Sequence, residues 1–125
     1  MTHHIHASPN NGRNFVMRQM EGPVVMLNLL KFKEVADYSA APELAPDRQV
    51  SGKEAYGLYM NAMKPLLKKA GAELLFMGKG GHFLIGPEAA GWDAVLLVRQ
   101  KDVSTFLAFA EDPAYQAVAG HRTAA

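Results

Sequence analysis

The chain has 125 residues, 49% apolar and 20% charged, with 13 Lys and Arg against 12 Asp and Glu. That length fits one domain and is enough to bury a core without staples. The net charge of +1 leaves no electrostatic footprint for nucleic acid or an anionic membrane, and the lack of cysteine excludes disulfides, thiolate catalysis and Cys-ligated zinc.

The apolar runs are too short to span a bilayer. The opening MTHHIHASPNNGR has no apolar stretch of the kind a signal peptide needs. A cytoplasmic location is the expectation. Residues 1–12, rich in His and Asn, read as a loose or externally anchored arm, and RNFVMRQM at 13–20 as a short helix. Gly22-Pro23 then punctuates the chain, so 1–21 form an arm and 22–125 the domain.

PVVMLNLLKFK, 23–33, has strand length and strand composition. Val24, Met26, Asn28, Leu30 and Phe32 share one face by parity; Val25, Leu27, Leu29, Lys31 and Lys33 share the other. Both faces begin apolar, so both are expected to be covered. Residues 34–50 hold two prolines and no sustained period, the mark of a long functional or floppy connection. Ser51-Gly52-Lys53-Glu54 is a capping box that opens a helix. Tyr56, Tyr59, Met60, Met63, Leu66, Leu67 and Ala70 follow helical spacing, Pro65 predicts a kink, and Gly71 is the stop.

AELLFMGKGGHFLIG, 72–86, reads as a strand with a glycine interruption, and WDAVLLVRQ, 92–100, as a second strand. Asp102 caps a helix whose buried face is Val103, Phe106, Leu107 and Ala110. Asp112-Pro113 starts a short helix that stops at Gly120. One strand–helix–strand unit joined to a strand–helix unit gives an α+β class and a ferredoxin-like split βαβ plan. The fourth strand of that plan is expected to be short or missing, its edge bare or filled by another chain.

GKGGHFLIG, 78–86, fails as a phosphate loop because Gly80, not Ser or Thr, follows Lys79. It fails as a dinucleotide fingerprint because Phe83 stands where a glycine belongs. As an RNA-binding strand it lacks two stacking aromatics, with Gly81 and Gly86 in their places. A bulge or bend at 78–81 is the expectation.

MLNLLKF, ADYSAAPELAP, SGKEAYGLYM, GHFLIGPE, WDAVLLVRQ and DPAYQAVAGHRTAA together resemble the DUF1330 family over about residues 22–125. The resemblance implies a dimeric α/β barrel of ferredoxin-like subunits and no established activity. Similar folds include cofactor-free monooxygenases, muconolactone isomerases and haem-binding chlorite dismutases.

The candidate ligand-binding residues are Asn28, Tyr38, Tyr59, His82, Arg99, His121 and Arg122. Asn28 is a polar group in an apolar strand; the resemblance favours it as a pocket group over a structural amide. Arg99 is a carboxylate clamp at a pocket mouth or a snorkelling strand end. Tyr56 and Tyr59 lie on the apolar helix face, and Tyr38 in the long loop. His82 is an acid–base candidate or a surface histidine. His121 and Arg122 follow a helix stop and are cap charges or site groups. His3, His4 and His6 lack a nearby carboxylate for a metal, and no metal or cofactor is expected. Three readings stay open: a homodimeric barrel binding a small organic ligand, including a cofactor-independent enzyme; a haem or metal barrel using His82 or His121; and a non-catalytic dimer module or an RNA binder.

Overall fold

The computed structural model describes residues 4–125; His3 lies outside the described residues. The elements in order are α1 (Pro9–Met17), β1 (Val24–Leu30), a 3-10 turn (Pro42–Leu44), α2 (Gly52–Lys69), β2 (Glu73–Lys79), β3 (Ala94–Gln100), α3 (Val103–Glu111), α4 (Pro113–Gln116) and α5 (Ala119–Ala124). The class is α+β with an open three-stranded sheet in the order β1-β3-β2. Both pairings are antiparallel, so β1 and β2 run the same way on either side of β3, with α2 carrying the chain between them. Among the described residues no strand follows β3.

The core is one helix on one sheet face. α2 lays Tyr56, Tyr59, Met60, Met63 and Leu67 onto Ala94, Leu96 and Val98 of β3, with Leu30, Phe32 and Leu74 packed around them. Full burial of one such side chain contributes about 2 kcal/mol. Among the described residues no helix covers the other sheet face. Leu27 pairs with Leu97 and Leu29 with Val95, and Phe76 joins the Leu97 row from the other side. Directly paired residues share a face. Val25, Leu27, Leu29 and Phe76 are exposed there, Leu27 by 61%.

α2 begins with the expected capping box: Ser51 Oγ accepts from the Glu54 amide and Glu54 reaches back to the Ser51 amide. It passes unbroken through Pro65 and ends at Gly71, whose φ of 75° only glycine adopts without strain. Asp102 and Asp112 cap α3 and α4 as their positions predict.

Five expectations fail, the last of them at Gly120. The arm is helical from Pro9, because Ser8 caps the Asn11 amide and Pro9 presets the first turn; Phe15 then stacks edge-on against Phe106 of α3 at 6.0 Å. The sheet irregularity falls between Leu74 and Phe76, not at the glycines. The strand pairing runs on past Lys79 through Gly80 N to Asp93 O and Trp92 N to Gly81 O, and Gly80 is required because a Cβ there would strike the Trp92 carbonyl. Residues 83–86 are therefore no strand, and Leu84 and Ile85 project from the hairpin tip, 99% and 91% exposed. Leu107 of α3 is exposed rather than buried.

Gly120 does not stop a helix; it lies inside α5, which packs against α2. Its missing side chain lets Ala41 and Leu44 close on that turn. The long connection is tied down by Asp37 N donating to Ala124 O and Ala36 N to Val50 O. Lys33 N donates to Ala125 O, and Gly52 N to Lys33 O. The loop, the start of α2 and the C-terminal residues thus form one hydrogen-bonded knot.

Ser51→Ala removes the acceptor of the capping box. It should cost about 1 kcal/mol in urea unfolding with an unchanged m value. A cost below about 0.3 kcal/mol would show the cap to be idle.

Candidate functional site

A cleft of about 910 Å³ opens where β1 and β2 end and β3 begins, beneath the first half of α2. Phe32, Tyr56, Met60, Met77 and Ala94 give it an apolar lining. Lys33, Lys53, Lys64 and Lys79 stand around it, against Glu34 and Asp93. Asp93 is already engaged: its Oδ2 accepts from Phe32 N at 2.7 Å, and its own amide donates to Leu30 O at 2.7 Å. This clamp fixes where Phe32 enters the cleft. Lys33 Nζ donates to Thr123 O at 2.9 Å. The two ion pairs among the described residues are Arg48–Glu54 and Arg99–Glu73, so Lys53, Lys64 and Lys79 have no carboxylate partner.

The α2 wall of the cleft is the stripe Lys53, Gly57, Asn61 and Lys64. Spacings of four, four and three residues place these on one side of a helix. Gly57 is notable because a Cβ built there meets nothing within 4 Å. A glycine in a helix interior costs about 1 kcal/mol against alanine.

An aromatic row runs from the cleft through the helix layer. Phe32 meets Tyr56 at 5.5 Å, Tyr56 meets Tyr59 at 5.3 Å, Tyr59 meets Tyr115 at 6.3 Å, and Tyr115 meets Phe109 at 4.7 Å. The Tyr59 and Tyr115 hydroxyls are 3.0 Å apart and hydrogen-bonded. Burial, then the bond to Tyr115, pushes the Tyr59 hydroxyl far above the ordinary tyrosine range. It stays protonated, in its hydrogen bond with Tyr115. Burial also raises Tyr56, opposed by the nearby Arg122 charge. The second recess, about 280 Å³, lies against Phe109 and Tyr115 at the far end of the row.

Of the residues singled out from sequence, Tyr38 and His121 come together: the hydroxyl sits 2.7 Å from Nδ1, with the rings edge-to-face at 5.5 Å. Burial lowers the His121 pKa and raises that of Tyr38. A neutral imidazole accepting from a protonated phenol satisfies both shifts. Arg122 donates to Ile5 O at 2.8 Å, tying the arm to α5. None of these three lines the cleft. Asn28 faces the helix side opposite Leu96, and its Nδ2 donates to Met26 O at 3.3 Å. Arg99 lies on the uncovered sheet face, opposite Val25, in its pair with Glu73. It does not stand at the cleft mouth, because strand alternation sends it away from the helices. His82 is exposed in an isolated bridge with Gly91. Among the described residues no three His, Cys, Asp or Glu side chains could jointly hold a metal ion. No helix there is long and apolar enough to cross a membrane.

The cleft residues that sequence reading passed over are the lysines and Gly57. The signal was the one-sided spacing of Lys53, Gly57, Asn61 and Lys64, polar and therefore easily taken as a solvated helix face.

A His whose folded pKa is lowered favours the folded state when neutral. Its contribution is present above its ordinary value of 6.5 and is lost as pH falls toward the lowered folded value. Stability measured from about pH 7 down to about pH 5 should therefore fall, and His121→Gln should flatten part of that fall. An unchanged profile in His121→Gln would remove His121 as the titrating group.

Residues 44–125 match the family described as a domain of unknown function, DUF1330. A solved structure similar to this chain is the RPA0582 protein of unknown function from Rhodopseudomonas palustris, 29% identical, with a TM-score of 0.85 over 98% of this chain and 88% of that one. The methylated RPA0582 protein is 31% identical, with a TM-score of 0.86 over 99% of this chain and 87% of that one. No curated protein matches the chain. On the family match and on the likeness to RPA0582 along nearly its whole length, the chain belongs to the DUF1330 family.

Proposed function

We propose that this protein binds a small organic molecule in the cleft beneath α2 and works as a two-fold dimer of ferredoxin-like subunits. The cleft carries the reading. Its 910 Å³ lies in the upper part of the range for small-molecule sites, and its lining has their composition, apolar and aromatic with a few polar groups at the rim. Its walls come from α2, β2 and β3 and from the Asp93 clamp on Phe32, so it is formed in advance of any ligand.

The ferredoxin-like plan is supported by β1 and β2 flanking β3, with a helix crossing between them. The dimer is supported by the uncovered face. Val25, Leu27, Leu29 and Phe76 form a contiguous exposed apolar set on a sheet with no helix over it. Such a patch marks an interaction site, and an identical face is the self-complementary cover that two-fold symmetry supplies.

Light scattering at micromolar concentration should give about twice 13.6 kDa. Leu27→Glu places a charge on the face without touching the core and should give a folded monomer; a wild-type monomer would overturn the dimer. For binding, backbone amide shifts should be followed by NMR against a panel of small aromatic and aliphatic compounds. Binders should move Phe32, Gly57, Met60 and Met77 together. A panel whose shifts scatter over the surface, or are absent, would overturn the cleft as the site.

A further inference from the structure

Resting on the cleft as a small-molecule site, we infer that its ligand is an organic anion: a flat apolar body lying along the α2 backbone at Gly57, with its acidic group held by the ammonium groups of Lys53, Lys64 and Lys79. Charge is the first argument. The whole chain carries +1, yet this one cleft has four lysines and two carboxylates. The Asp93 carboxylate accepts from a backbone amide, and the three lysines at the rim form no ion pair among the described residues. Their charge is available to a ligand, and it stands at the exposed rim of an apolar floor. That floor also sets the class. Phe32 and Met60 offer no hydrogen-bond partners and Tyr56 only its hydroxyl, too few for a fully hydrated inorganic anion or a sugar, and all three suit a planar apolar body.

Gly57 is the second argument, and it is independent of charge. Nothing in the fold asks for glycine there: its φ is not positive, and a side chain would enter open space. Alanine would make the helix more stable. A position that weakens α2 without any packing reason, midway between Lys53 and Lys64 on the cleft wall, leaves room for something that is not part of the chain. An apolar ring placed against the bare backbone fills that room, with the Asn61 amide one turn further on to orient it.

The test uses the full-length protein and two probes of one shape, 2-naphthoate and the neutral 2-naphthylmethanol, titrated by calorimetry and by the Gly57 amide signal. Naphthoate should bind about tenfold or more tighter than the alcohol, with the gap closing as salt rises. Lys64→Gln with Lys79→Gln should weaken naphthoate and leave the alcohol unchanged. Gly57→Leu should abolish binding of both, with no loss of melting temperature because leucine is the better helix former. Gly57→Ala should raise the melting temperature. Equal affinities for the two probes, both lost in Gly57→Leu, overturn the anionic class and leave the cleft as the site. Unchanged affinity in Gly57→Leu overturns the placement of the body. Binding of neither probe near millimolar concentration overturns the inference, while the compound panel judges the site separately.

Discussion

The sheet is apolar on both faces, and the helices cover one. In β1 the parity is plain: Val24, Met26 and Leu30 lean toward α2, while Val25, Leu27 and Leu29 stand in the open. The core is consequently thin. A single long helix meets the central strand β3 through tyrosines and methionines, and among the described residues Leu96 is the most fully enclosed large side chain. No residue of α3 is buried, and α1 touches the body through Phe15 on Phe106. The exposed face carries the apolar residues of a sheet interior, which is what supports the proposed dimer.

With so much depending on α2, the rest of the chain holds it in place. The capping box fixes its first turn, and Gly52 allows that turn to sit directly against the backbone of Lys33 and Ala125. α5 and the 3-10 turn brace it from outside through Gly120, Ala41 and Leu44. The Tyr38–His121 bond and the Arg122–Ile5 bond close the loop and the arm over α5. These groups, polar and suggestive of chemistry in sequence, are the fastenings of the helix that roofs the cleft. The cleft itself is lined by what the bracing leaves: one flank of α2, the ends of three strands and a rim of lysines.

The local signals were written clearly in the chain. Ser51 and Glu54, Gly71, Asp102 and Asp112-Pro113 each act within four residues, so a short window contains the whole cause. The β strands were legible as short apolar runs of strand length bounded by glycine and proline. What was not legible depended on distant partners. Ser8-Pro9 is a good helix start that was obscured by the polar residues around it. The bulge sits at Leu75 because of pairing with β3, and a glycine run nearby drew attention from it. Arg99 has the chemistry of an anion clamp, but the sheet places it on the face away from α2, where Glu73 from the neighbouring strand claims it. The cleft lysines carry no motif at all. They come together only where the ends of three strands meet one flank of a helix.

The proposed dimer buries the uncovered face against an identical one. Solvent relaxation of the methyl groups by an added gadolinium chelate reads that directly, with Leu96 as the buried reference and Leu58, exposed on α2, as the open one. The methyls of Val25, Leu27 and Leu29 should be protected to nearly the level of Leu96 in the wild-type protein and should relax like Leu58 when the protein is diluted to monomer. Relaxation as strong as that of Leu58 at every concentration would contradict the account.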